Sequence, residues 1–144
     1  MNLKIMKMSD KAIVPHRATV GSAGMDLCAC IDEPVVIPAR GHATIPTGIA
    51  ISIEPEYAAM IYARSGLAIK HGIGLLNSVG VVDSDYRGEI KVGLVNQFDE
   101  DYEIKPNERI AQMVIHPIAL PEIIECDSLD DTDRGEGGFG STGK

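Results

Sequence analysis

Residues 80–88 read Gly-Val-Val-Asp-Ser-Asp-Tyr-Arg-Gly and combine features of a strand, a turn and a binding site. The glycine at each end allows the backbone to bend and allows a ligand to approach the main chain closely. The two valines predict a short buried strand, and Ser84–Asp85 predicts the turn of a β-hairpin. Asp83 then lies at the mouth of the hairpin, with Tyr86 on its far side. Taken alone, the segment also fits an ordinary polar β-turn.

Short β-branched runs on both sides of this segment predict an all-β fold. Eight prolines and fifteen glycines leave few places for a long helix. Many short strands separated by such turns are typical of an antiparallel sandwich or barrel. One short helix is predicted, with Ser65 as its N-cap, His71 as its last residue and Gly72 following it. The predicted strands include Ala43–Ile45, Ile49–Ile53, Ala58–Tyr62, Ile90–Val95 and Ile110–Ile115.

Composition limits the class of protein and of partner. The 144 residues fit one domain, and aromatic residues make up only 4%, so the core must be mainly aliphatic. A net charge of -8 argues against nucleic acid as a partner but permits a small phosphorylated ligand. No apolar run could span a bilayer, and the first residues lack the apolar stretch of a secretory signal. Three cysteines form no disulfide framework, so we expect a cytoplasmic protein. Because no apolar run could span a bilayer, we also expect no membrane partner.

The composition changes after Cys126. Residues 127–133 contain four aspartates, and residues 134–144 contain five glycines. Such a chain cannot bury enough apolar surface to order itself, which predicts a core of residues 1–126 and a flexible tail of residues 127–144. The tail nevertheless carries a cation, an aromatic ring and two hydroxyls among its glycines. These groups could wrap around phosphate oxygens.

Three other positions carry candidate chemistry. Arg64 and Ser65 at the start of the short helix favour an anion, because free N–H groups and the helix dipole attract negative charge. Gln112 is polar within an apolar alternation, so its amide needs a backbone or ligand partner. Asp26 is either an ordinary strand-end residue or a carboxylate for Mg²⁺, which prefers oxygen ligands.

Five segments occur in the order and spacing of motifs in the homotrimeric dUTPase family, which the chain resembles from about residue 15 to its C-terminus. The resemblance implies a distorted, jelly-roll-like β subunit with one short helix. It further implies a homotrimer in which each active site borrows residues from three chains. The segments are Ala23-Gly24-Met25-Asp26, Ala63-Arg64-Ser65-Gly66-Leu67-Ala68, residues 80–88, Arg109-Ile110-Ala111-Gln112, and residues 134–143.

The resemblance also implies a role for each site residue. Asp83 would orient and deprotonate the attacking water, and Tyr86 would pack against the deoxyribose. The backbone from Asn77 through Gly80 to Val82 would contact the uracil edge. The phosphates would be held by Arg64, Ser65, Gly66 and Gln112, with Asp26 placing Mg²⁺ through water. From another chain, Phe139 would stack over the base within a substrate-binding set of Arg134, Phe139, Gly140, Ser141 and Thr142.

The implied reaction is the Mg²⁺-dependent hydrolysis of dUTP to dUMP and pyrophosphate. It would limit uracil incorporation into DNA and supply dUMP for thymidylate synthesis. The dCTP deaminases share this fold, but they resemble one another in having a glutamate at the position where this chain has Gly93. This chain therefore lacks the glutamate of a deaminase. A nucleotide-binding regulator without turnover would not need Asp83. A purely structural β-module would leave the Arg/Gly/Ser/Thr-rich tail unexplained.

Overall fold

The computed structural model describes residues 2–138, and within them eleven short strands accompany a single, mostly exposed helix. Leu120 and the residues after it contribute no strand or helix to the described part of the chain. The elements are β1 (Lys4–Lys7), β2 (Met25–Cys28), β3 (Val35–Ile37), β4 (His42–Pro46), β5 (Ile49–Ser52), β6 (Tyr57–Tyr62), α1 (Ser65–His71), β7 (Ile73–Leu75), β8 (Gly80–Val82), β9 (Lys91–Asn96), β10 (Tyr102–Ile104) and β11 (Arg109–Pro117).

The strands form four antiparallel sheets. The largest has the order β2-β11-β6-β8, and a second has the order β4-β9-β7. Two-stranded sheets join β1 to β5 and β10 to β3. The core is aliphatic, as the composition requires, and its largest fully buried apolar side chains are Leu27, Ile37, Ile45, Ile49, Ile73, Leu94, Ile104, Ile110 and Met113. The all-β prediction is confirmed.

The predicted hairpin around Ser84–Asp85 is wrong. β8 pairs with β6, whereas β9 pairs with β4 and β7, so β8 and β9 belong to different sheets. The chain turns at Asp83 and crosses from one sheet to the other instead of folding back on itself. The turn residues were therefore identified correctly, but the pairing of the flanking strands was not.

The helix has the predicted bounds but a different N-cap. Arg64 takes the N-cap position with extended backbone angles, φ -91° and ψ 128°, and no side chain caps the helix. The Arg64 carbonyl accepts the Ala68 N–H at 3.0 Å, so Ser65 is already helical and cannot act as the cap. Gly72 ends the helix in the left-handed region at φ 67°, where a Cβ would also collide with the Phe98 ring.

The chain beyond β11 is exposed. β11 ends at Pro117, and residues 118–138 contain neither helix nor strand. Four apolar side chains in this segment are largely exposed, at 74% for Leu120, 95% for Ile123, 76% for Ile124 and 87% for Leu129. Among the residues described, no helix is long and apolar enough to cross a membrane.

Candidate active site

A cavity of about 400 Å³ lies beside β8. Five residues predicted from the sequence to bind substrate or activate water line it together, namely Asn77, Gly80, Val82, Asp83 and Tyr86. Gly80 permits this packing, because a Cβ there would come within 3.1 Å of Ile61. The structure thus brings a carboxylate, an aromatic ring and exposed backbone to one concave surface, which is the usual form of a small-molecule site.

The turn that carries Asp83 is held by local hydrogen bonds. The Tyr86 N–H donates to the Asp83 carbonyl at 3.2 Å. Arg87 Nη1 donates to the carbonyls of Ser84 and Tyr86, at 2.7 and 2.9 Å. The Tyr86 ring lies against Gly88, where any Cβ would overlap its hydroxyl end. These contacts fix the ring beside the cavity.

A second polar cluster lies on the outer face of the largest sheet. Gln112 on β11 is in register with Asp26 on β2 and with Tyr62 on β6, so the three side chains point to the same side. The flanking Met25, Met113 and Ile61 are buried on the opposite side. Because side chains alternate along a strand, the polar residues point outward while the apolar residues between them pack in the core.

Asp26 is the centre of this cluster. Its Oδ1 accepts Arg64 Nε at 3.0 Å, and its Oδ2 accepts Arg109 Nη1 at 3.2 Å. The Asp26 side chain is only 13% exposed, so the two guanidinium groups compensate a largely buried charge. Arg64 Nη1 also donates to the Arg109 carbonyl at 3.1 Å. One carboxylate thus orients two arginines, Arg64 at the N-cap of α1 and Arg109 at the start of β11.

Gln112 has the partner that its position requires. Its Nε2 donates to the Ala63 carbonyl at 3.0 Å, immediately before Arg64. Its side chain lies over Gly24, where a Cβ would overlap Gln112 Oε1. Gly24 therefore leaves room for the Gln112 side chain.

Burial also affects the thiol next to this cluster. Burial raises the pKa of Cys28, and the nearby Asp26 carboxylate raises that pKa further. The thiol therefore stays neutral and acts as a small apolar side chain. All three cysteines, Cys28, Cys30 and Cys126, are free.

The cluster could hold a metal ion only through water. No group of three or more His, Cys, Asp or Glu residues in the described chain could bind a metal directly. Each Asp26 oxygen accepts one arginine bond, which leaves lone pairs for water but not an open carboxylate. This donor set fits Mg²⁺, which keeps several of its waters and takes further ligands from substrate phosphates.

Within residues 2–138, the remaining residues that the sequence predicted for the site do not line the β8 cavity. Ser65 and Gly66 form the first turn of α1, and a Cβ at Gly66 would meet open space. Arg134 is exposed, and its Nε donates to the Gly137 carbonyl at 2.6 Å. Among the residues described, the lining of the β8 cavity includes none of Asp26, Arg64, Ser65, Gly66, Gln112 and Arg134. Phe139, Gly140, Ser141 and Thr142 lie outside the described residues.

Sequence reasoning missed several residues that the structure places at these sites. Arg109 was named only as the first residue of a motif segment and was given no role, yet it binds Asp26. Glu89 and Lys91 line the β8 cavity beside Asp83. Their position directly after residues 80–88 was the one available signal.

Fold and site together define a β-protein with a small-molecule cavity and, in a separate place, a cluster of two arginines that could bind an anion. The sequence matches the dUTPase family over residues 10–143. It is 53% identical to the deoxyuridine 5'-triphosphate nucleotidohydrolase of Nautilia profundicola, with both chains fully covered. The Wolinella succinogenes enzyme of the same name is 49% identical over all of this chain and 95% of its own length. The chain belongs to the dUTPase family.

Solved structures agree with this assignment. The dUTPase of Staphylococcus bacteriophage 80alpha, solved with dUPNHPP, superposes with a TM-score of 0.89 at 29% identity. The alignment covers 99% of both chains. The antiparallel sheets and the single short helix are therefore those of a dUTPase subunit.

Proposed function

We propose that this dUTP diphosphatase hydrolyses its substrate by directing a water molecule, activated by Asp83, onto the α-phosphorus. The water oxygen bonds to that phosphorus while the bridging bond to the β-phosphate breaks. The products are dUMP and pyrophosphate, and Asp83 takes the proton of the water. The observation that carries this proposal is the cavity in which Asp83 and Tyr86 meet the backbone of β8. A well-placed general base contributes about 10²- to 10⁴-fold to the rate.

The cavity suits a deoxyuridine. Backbone groups from Asn77 to Val82 can pair with O4 and N3–H of uracil, whereas cytosine presents the opposite donors and acceptors. A mismatched base would leave buried polar groups without partners. The Tyr86 ring packs against the sugar and leaves no room for a 2′-hydroxyl.

The second cluster suits the phosphates. Arg64, the first-turn N–H groups of Ser65 and Gly66, and Gln112 hold the phosphate oxygens. Asp26 limits the freedom of Arg64, so its guanidinium is already oriented when substrate arrives. Arg109 adds a second cation that is 53% exposed.

Magnesium completes this site. The dUTPase family generally uses Mg²⁺. When bound, the ion neutralises charge that develops on the phosphate oxygens during displacement. Asp26 would hold one of the waters of the ion, while Arg64 and Arg109 keep the carboxylate in place.

The divided arrangement supports a homotrimer with shared active sites. The cavity residues and the arginine cluster lie in separate parts of one chain, so neighbouring chains would supply the complementary half. The division into a core of residues 1–126 and a tail of residues 127–144 belongs to this proposal. Arg134, Phe139, Gly140, Ser141 and Thr142 would reach the substrate from a third chain. A cytoplasmic location is part of the proposal too, and the free cysteines fit a reducing compartment.

The proposal is tested by product analysis in water enriched in ¹⁸O. The protein is incubated separately with dUTP, dCTP and UTP, with Mg²⁺ or with excess chelator. We expect Mg²⁺-dependent pyrophosphate release from dUTP, with the ¹⁸O label in dUMP. Label in pyrophosphate would contradict attack at the α-phosphorus. Deamination of dCTP would support the deaminase alternative, and binding without turnover would support a regulator.

A further inference from the structure

The β8 cavity contains a carboxylate with no assigned role. Glu89 lines the cavity together with Asp83 and Tyr86. It also lines a groove on its other side, with Cys30 and Gly48. Glu89 thus lines both spaces, and its side chain is only 23% exposed.

The Glu89 backbone is bound to the tyrosine proposed to contact the sugar. The Tyr86 hydroxyl donates to the Glu89 carbonyl at 3.1 Å. The same peptide unit carries the Ile90 N–H, which donates to the Ile49 carbonyl at 2.9 Å. One rigid peptide plane therefore connects the Tyr86 ring to β5 in the core.

The Glu89 side chain provides a second attachment for this peptide. Its Oε1 accepts the Gly48 N–H at 2.9 Å, and its Oε2 lies 3.8 Å from Lys91 Nζ. Gly48 is itself confined, because it adopts φ 68° and a Cβ there would collide with Ala12 and Cys30. Glu89 is therefore attached to a part of the backbone that has little freedom to move.

We propose that Glu89 is a positioning residue that holds Tyr86 against the sugar and so sharpens discrimination between dUTP and UTP. The hydrogen bond to Gly48 is the essential contact, because the 3.8 Å ion pair with Lys91 is exposed and weak. Loss of the side chain leaves the peptide attached only through Ile90. The Tyr86 ring then has room to tilt and to admit a 2′-hydroxyl. This inference rests on the proposed function.

The test compares Glu89→Ala, Glu89→Gln and the control Glu103→Ala, which removes an exposed carboxylate from β10. The quantity measured is the ratio of kcat/KM for dUTP to that for UTP. Because small misplacements in active sites cost up to about 10²-fold, we expect Glu89→Ala to lower the ratio by roughly 10- to 100-fold. Glu89→Gln should keep the ratio near the wild-type value, since an amide oxygen also accepts the Gly48 N–H. Glu103→Ala should leave it unchanged.

A double-mutant cycle with Tyr86→Phe separates positioning from general destabilisation. Removal of the Tyr86 hydroxyl breaks the link to Glu89, so Glu89→Ala should have little further effect on the ratio in that background. An unchanged ratio in Glu89→Ala, or additive effects in the cycle, would overturn the inference. If the wild-type protein fails to hydrolyse dUTP, the proposed function itself is wrong. That result is distinct from an unchanged dUTP-to-UTP ratio in Glu89→Ala, which contradicts only the role of Glu89.

Discussion

The β8 cavity and the segment after β11 are built in opposite ways. The turn at Asp83 is held by three backbone-directed hydrogen bonds and by a ring packed on Gly88. Residues 118–138 form no helix or strand, and Ile123 and Ile124 within them are exposed. One chain can therefore build the cavity in which we propose that Asp83 activates water. We propose that the C-terminal segment acts only when it contacts a partner chain or a ligand.

Truncation after Asp133 tests this difference most severely. The described part of the removed segment, residues 134–138, contains no strand, so the melting temperature and the assembly should stay unchanged. We expect hydrolysis of dUTP to fall by at least about 10²-fold, because a cation that stabilises transferring phosphate is lost. Binding of a triphosphate should weaken more than binding of dUMP. Steady-state kinetics, calorimetry and thermal melting measure these effects, and full activity would contradict the tail's role.

The double substitution Ile123→Ser with Ile124→Ser tests whether a neighbouring chain covers the segment. Burial of two isoleucines against a partner would contribute about 3–6 kcal/mol, so their loss should shift the assembly toward monomer. Mass by light scattering over a range of concentrations measures the change. The control is Val20→Ser, which removes a fully exposed apolar side chain elsewhere. An unchanged mass would show that the segment packs on nothing in the assembly.

A smaller effect is expected at Tyr102, which lies outside both regions. Its hydroxyl donates to Glu108 Oε1 at 2.6 Å, and burial together with this carboxylate raises the pKa of Tyr102. Tyr102→Phe should lower the free energy of unfolding at pH 7 by about 1–2 kcal/mol. Because the folded-state pKa is raised, the wild-type protein loses stability as the pH rises above about 10. The variant should lose less over that range, as urea unfolding at pH 7 and pH 10.5 would show.

The sequence grouped several candidate site residues in one segment, but it did not predict how the strands pair around them. Asp83, Tyr86 and Gly80 share a cavity as expected. The hairpin was wrong, because local turn chemistry does not specify which strand a neighbour pairs with. The prediction of Ser65 as the N-cap was also wrong. Arg64 takes that position with extended backbone angles while its guanidinium binds Asp26.

Arg109 shows why part of the site could not be predicted. It precedes Gln112 by an odd number of positions, and in a regular strand such residues point to opposite faces. The pairing of β11 with β2 contains a register shift between Arg109 and Ala111. This irregularity places Arg109 on the side of Asp26 and Gln112. No pattern in the sequence reveals a bulge of this kind.

The most direct test of the catalytic proposal is the turnover of Asp83→Asn. The amide preserves the shape of the side chain but cannot take a proton from water. The proposal predicts that kcat for dUTP falls by at least about 10²-fold while the substrate still binds. The matched control Asp85→Asn, in the same turn, should retain near-normal turnover. Near-normal hydrolysis by a purified, folded Asp83→Asn protein would contradict the role of Asp83 as the base.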